Sequence, residues 1–462
     1  MATIDDTVLE ADKRFFDFVV ITELVAGGTG PARYLGENQF QSTLVFDTCV
    51  RDEGDLPEPW ADPLLQGIRS MSTVAKNERP AGFNELHHSM RKEAWHKYIR
   101  LYDIVRDAVI NITHPVIRES RMADLEVVKG LYDLAGHEVG ATFTMPSILT
   151  MKRLVTGSGH VPTYQEFRRQ ITEMSAEYSK LGFKGTLIEQ AKAFDEGIGE
   201  VDKEHIVPSF RELSGLLVPT SERLLGLEPG TLQFEVVALP ESEHKGGSNE
   251  YAGNYTTRIS IKPHSKTSKL RLAHLTCHEM THTIQSVAQE QFYNETGSVR
   301  GAFGTMCTST MATDEGVAEH GVKTFDIEVQ QYLGDAYQHL ALHEKHVMLK
   351  TNAGLIATLN AFPALLRGDD PQDIRDDVEA IACAAGFDEE RVNVIANGVM
   401  DPLRLLKNFA YTPFYGENCR IVDQAFGNRL FADSFQRYQR AMSKMGPIAL
   451  PVLSQAMDAF GK

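Results

Sequence analysis

The segment from Leu270 to Gln291 constrains this chain more than any other. It contains Cys277-His278-Glu279-Met280-Thr281-His282, and apolar side chains recur at Leu270, Ala273, Cys277, Met280, Ile284 and Val287. That three-four spacing, uninterrupted by Gly or Pro, predicts a helix with one buried face. At roughly 100° per residue, His278, His282 and Glu279 project at about 0°, 40° and 100°. All three share one arc beside the apolar face. Two imidazoles one turn apart can grip a single metal ion. The carboxylate between them is too far round to be a third ligand, but it reaches a water on that metal. An amphipathic helix with solvated histidines carries the same letters, and the downstream sequence separates the two readings.

Two histidines need a third protein ligand, with one position left for water or substrate. After Gly297, Gly301 and Gly304 comes Thr313-Asp314-Glu315-Gly316-Val317-Ala318-Glu319-His320. The pattern predicts a second helix, capped by Thr313 and running on through Ala318, Val322, Phe325, Val329 and Tyr332. Glu315 heads its buried face, where a carboxylate wants a cation or a strong donor. It lies 33 residues after His282 (315 − 282), room for a loop and a returning helix. Glu319, one turn further, is placed to accept a hydrogen bond from a ligand histidine and fix its tautomer. The three glycines between the two helices are candidate hinges.

The pair H-E-M-T-H and E-x-x-x-E resembles the gluzincin metallopeptidases, of which thermolysin is the familiar member. In that family H-E-x-T-H is followed by a second helix with a ligand Glu and an acid four residues on. The resemblance implies that His278, His282 and Glu315 are zinc ligands, Glu279 the general base and Glu319 the acid behind a ligand histidine. It covers about 50 residues, Ala273 to Gly321. From Tyr251 to Glu319 the chain is also distantly similar to a group of uncharacterised bacterial proteins with a longer H-E-x-x-P-G-H; the inserted Pro-Gly is absent here.

The 462 residues suffice for a large core and two or three lobes. A net charge of −17 argues against nucleic acid or anionic membrane as a partner. It favours cationic or neutral substrates. Five scattered cysteines (Cys49, Cys277, Cys307, Cys383, Cys419) with no C-x-x-C point to a reducing compartment. The start of the chain is acidic where a signal peptide is basic, and no apolar run approaches the ~20 residues of a membrane span. The expected location is cytoplasmic.

The expected fold class is mostly α (α+β), in three regions. Residues 1–226 form an N-terminal helical region, 227–334 a metal-binding core with a small sheet, and 335–462 a C-terminal helical region. Helical patterns cover 5–25, 63–76, 84–112, 120–134, Tyr164–Leu181, Thr186–Gly197 and Asp202–Leu225. Alternation predicts strands at Thr231–Leu239 and Asn254–Lys262, with 240–249 as a polar loop. That sheet is either an ordinary supporting hairpin or a cleft edge that pairs with an extended substrate. Beyond residue 335 the pattern is helical: Asp335–Leu349, Ala353–Leu366, Pro371–Ala385, Glu389–Ala396, Pro402–Phe409, Asn418–Leu430, Ser434–Met445 and Ile448–Phe460.

Other histidines read as surface or supporting groups. His87-His88 lies in a polar stretch, and His339, His343 and His346 share one helix without the four-residue register of the main motif. Zinc peptidases need a donor for the oxyanion and often an Arg for a substrate carboxylate. By residue type, Tyr411, Tyr415 and Arg420 in Tyr411-Thr-Pro-Phe-Tyr415-Gly-Glu417-Asn418-Cys-Arg420 are the candidates. The alternative is a helix start with packed aromatics.

These features point to Zn²⁺-dependent hydrolysis of a peptide or small amide substrate. Two His and one carboxylate are equally the ligand set of non-haem Fe²⁺ oxygenases, though Glu279 then has no task. A helical binding protein with a relic or structural metal site is the third reading. Cys277, the one nearby thiol, lies on the apolar face, away from the arc. The sequence leaves the oligomeric state open.

Overall fold

A computed structural model describes residues 4–27, 62–74, 76–142, 147–160, 162–239, 247–263, 266–301, 308–400, 414–427 and 431–462. The fold is mostly helical with a small sheet, the α-rich α+β class expected. Among the described residues no helix is long and apolar enough to cross a membrane. One hydrophobic core runs from Val8 to Phe460 and draws on all three sequence regions.

At the centre lies the helix Lys269–Thr296, longer than the pattern predicted. Ser268 caps its start by accepting from Arg271 N at 3.2 Å, and Gly297 closes its end at φ +72°. All six expected apolar positions, Leu270 to Val287, are 0% exposed. Burying the larger of them, Leu270, Met280, Ile284 and Val287, contributes about 1.5–3 kcal/mol each. Their partners come from the helices Lys203–Leu225, Ser309–Glu319 and Phe431–Met445 and from the sheet.

The sheet differs from a simple hairpin. β2 (Gln233–Ala238) and β4 (Thr256–Ile261) are parallel neighbours, and β3 (Gly247–Gly253) pairs antiparallel on the other side of β4, giving the order β2-β4-β3. A two-stranded pair of β1 (Glu200–Asp202) and β5 (Lys266–Ser268) leads into the central helix. β3 falls partly in the stretch read as a polar loop. It forms because its side chains fasten to the central helix: Asn249 Nδ2 donates to Glu279 O at 2.9 Å and to Thr283 Oγ1 at 2.7 Å, and Tyr251 donates to Glu290. The turn into β4 holds Asn254 and Tyr255 at φ +50° and +57°. Their amides are held by Glu290 Oε1 at 3.1 Å and Tyr251 Oη at 2.9 Å, which sustains a left-handed tyrosine.

The second helix also departs from expectation. It starts at Ser309, with Thr308 rather than Thr313 as the cap, and stops at Glu319. Short helices Gly321–Thr324 and Asp326–Leu333 follow in place of a continuous one. The break coincides with a close crossing: a Cβ on Gly321 would lie 2.6 Å from Cys277 O, beside His278. Gly301 likewise packs on the central helix, where a Cβ would meet Gln289 O at 2.6 Å, so it is a contact point rather than a hinge. Gly304 lies outside the described residues. Elsewhere, the 84–112 pattern divides into Phe83–Tyr98 and Leu101–Ile110, whereas Leu340–Arg367 is one helix across the expected break. Pro402–Phe409 lies outside the described residues.

Candidate metal centre

The two helices bring His278, His282 and Glu315 together. Their ligand atoms lie within 4.8 Å of one another. His278 Nε2 and His282 Nε2 are 3.1 Å apart. Glu315 Oε2 is 3.5 Å from His278 Nε2, and Glu315 Oε1 is 3.5 Å from His282 Nε2. Ligands about 2.0–2.1 Å from a tetrahedral zinc stand about 3.3–3.4 Å apart, so these separations, with one carboxylate oxygen facing each imidazole, are of the size that ion spans. Glu315 is 1% exposed, and its Oε2 is buried without a hydrogen-bond partner. A buried carboxylate oxygen in that position calls for a cation.

Each histidine is held from behind by a different chemistry. His282 Nδ1–H donates to Gln285 Oε1 at 2.8 Å, and Gln285 Nε2 donates to Asp314 O at 3.0 Å. Tyr438, from the helix Phe431–Met445, donates to Asp314 Oδ1 at 2.9 Å. Behind His278 stands Glu319, whose Oε2 is 3.7 Å from Nδ1, an ion-pair distance rather than a hydrogen bond. His274 Nε2 approaches the same oxygen at 3.2 Å, and the Tyr415 hydroxyl donates to it at 2.5 Å. Gln285, Asp314, Tyr438 and His274 were not anticipated. The signal for His274 is plain in the sequence: it precedes His278 by four residues, as His278 precedes His282.

Electrostatics follow from this packing. Burial would raise Glu315, but the imidazoles of His282 and His278, each 3.5 Å away, draw it down to about 2. Glu319 falls well below the usual range despite burial, through His274 and His278. Burial would lower the imidazoles, yet the nearby Glu315 and Glu319 carboxylates hold His278 well above its ordinary value, and Glu315 holds His282 above its own. Protons thus bind where a cation would, and the two compete. Glu279, buried on the same helix, is raised, chiefly by burial. A carboxylate moved upward is better suited to accepting a proton near neutral pH.

The remaining candidates are placed as follows. Tyr415 is buried at the start of the helix Tyr415–Phe426 and engaged with Glu319. The Arg420 fork is taken up by Glu417, at 2.8 and 2.7 Å, and Glu417 is also 3.5 Å from buried Lys152. Tyr411 lies outside the described residues. His346 is a satisfied core residue between Tyr178 Oη at 2.9 Å and Ala385 O at 3.0 Å. His339 packs edge-on to Phe194, and His87 contacts Ser72 Oγ at 3.1 Å. Cys277 is fully buried, as its place on the apolar face required.

A cleft of about 440 Å³ opens on the far side of Glu319. Its walls include His274, Glu319, His320, Lys323, Glu344 and Arg420, but none of His278, Glu279, His282 or Glu315. It therefore lies behind His278, not over the nitrogens that face Glu315. No family model matches this chain, and neither the curated proteins nor the solved structures contain a match.

Proposed function

We propose that the chain is a zinc-dependent hydrolase of peptide or small amide bonds, with His278, His282 and Glu315 as metal ligands. The observation that supports it most is the 3.1 Å approach of the two Nε2 atoms with one Glu315 oxygen 3.5 Å from each, Oε2 being buried without a hydrogen-bond partner. Zinc held there supplies Lewis acidity, polarising a carbonyl and acidifying water. Glu279 accepts the proton of the attacking water and returns it to the leaving amine. Burial raises its carboxyl, which favours holding that proton between the two transfers. Gln285 and Glu319 aim the two imidazoles. The free cysteines Cys277, Cys383 and Cys419 support work in a reducing compartment such as the cytoplasm.

The test is Glu279→Gln. The variant keeps the metal ligands and removes the proton acceptor. It is expected to bind zinc as wild type does and to lose hydrolysis of a peptide library by several orders of magnitude. Full activity with zinc bound would overturn the mechanism.

A further inference from the structure

The pairing of the two helices repeats once. His278 and His282 face Glu315; one turn along, His274 and His278 face Glu319. The first set leaves a carboxylate oxygen without a hydrogen bond, whereas the second is closed by a proton donor, the Tyr415 hydroxyl. Glu319 Oε2 thus sits among three donors: Tyr415 Oη at 2.5 Å, His274 Nε2 at 3.2 Å and His278 Nδ1 at 3.7 Å. The two short contacts fix where that oxygen stands, and the long one is left to respond to it.

We infer that His274 is a positioning residue: with Tyr415 it clamps Glu319 so that the carboxylate orients His278 for metal binding. The inference rests on the reading of the centre as a metal site. His274 is suited to the task because it shares a rigid helix with His278, one turn away. Its other nitrogen, Nδ1, is buried without a hydrogen-bond partner, so Glu319 is what directs this ring. His343 packs edge-on against it, with ring centroids 6.1 Å apart. The clamp also revises Tyr415. Its hydroxyl holds Glu319 and is spent there, so the role open to it is to position the ligand rather than to stabilise an oxyanion.

The experiment measures zinc affinity by competition with a chromophoric chelator, and the visible spectrum of the cobalt-substituted protein. The variants are His274→Ala, His274→Gln, Tyr415→Phe, Glu319→Gln and the double variant His274→Ala/Glu319→Gln. His274→Ala is expected to weaken zinc binding roughly 10–100-fold and to change the cobalt spectrum. His274→Gln, which keeps a donor, should recover most of the loss. The double variant should bind no more weakly than Glu319→Gln alone, because both changes break one chain of contacts. Tyr415→Phe removes a single hydroxyl and tests the other jaw if His274→Ala does not fold. Wild-type affinity in His274→Ala and Tyr415→Phe, or losses that add fully to that of Glu319→Gln, would overturn the inference while leaving the metal site standing. A wild-type protein that takes up no zinc would overturn the metal reading and the inference with it.

Discussion

Asp12 and Asp124 are as deeply buried as Glu315, yet their surroundings are opposite. Asp12 accepts from Arg121 at 2.8 and 3.2 Å and from Ser298 Oγ at 2.7 Å. Asp124 accepts from Arg300, from Thr310 N at 2.9 Å and from Thr310 Oγ1 at 2.6 Å. All four oxygens have donors, and Arg121 also donates to Met445 O and Pro447 O at 2.9 and 3.2 Å. That cluster ties the N-terminal helix Asp6–Val25 and the helix Pro115–Glu138 to the C-terminal chain. It also fixes Thr310, at the start of the helix that carries Glu315. At the centre, Glu315 faces two histidines and keeps one oxygen without a hydrogen bond. Asp12 and Asp124 are each closed by an arginine, whereas Glu315 has only imidazoles beside it and keeps one buried oxygen open, a setting that suits a cation.

This contrast can be broken by mutation. Arg121→Ala is expected to destabilise the protein by about 3–5 kcal/mol in chemical denaturation, since it leaves Asp12 buried and uncompensated. The fraction that folds should still bind zinc. Glu315→Gln should do the reverse, abolishing stoichiometric zinc with a smaller loss of stability. If Arg121→Ala removed zinc from folded protein, or Glu315→Gln kept it, the two clusters would not differ in kind.

The acid–base behaviour sharpens the contrast further. Glu315 has a folded value near 2 against an ordinary 4.5, so its contribution to stability is present above about 4.5 and is lost as pH falls toward 2. His278 and His282 are shifted up from 6.5, so theirs is present below 6.5 and is lost as pH rises through their raised values. Chelator-treated protein should therefore gain its largest contribution from the centre between about pH 4.5 and 6.5. Zinc binding should strengthen above that window and release protons, as calorimetry in buffers of different ionisation enthalpy would report. The Glu315→Gln variant should lose the low-pH limb.

The smallest expected effect compares the two supports of the histidines. Glu319 sets a full charge 3.7 Å from His278, whereas Gln285 offers His282 a neutral hydrogen bond at 2.8 Å. Gln285→Ala, which removes a neutral amide from His282, should weaken zinc by less than about tenfold, and Glu319→Gln by more. Equal losses in chelator competition would show that the charge on Glu319 adds nothing.

Much of the centre was legible because its helix obeys one period. Leu270 to Val287 sets the buried face, and the same spacing puts His278 and His282 on one arc. Glu315 was legible as a carboxylate on an apolar face. What escaped was set by tertiary contact. The break after Glu319 arises where Gly321 crosses Cys277 O, a contact the apolar pattern of Val322 and Phe325 does not reveal. β3 is polar in sequence and becomes a strand through Asn249 and Tyr251 reaching the central helix. Tyr415 lies nearly a hundred residues beyond Glu319, and only the folded chain shows that the two meet. His274 was readable in principle, since its spacing repeats that of the motif.

The most direct test is metal content by mass spectrometry on wild-type protein and His282→Ala, both purified without added metal. The predicted result is about one zinc per chain in wild type and none in the variant. Iron in place of zinc, or no metal in either protein, would contradict the account.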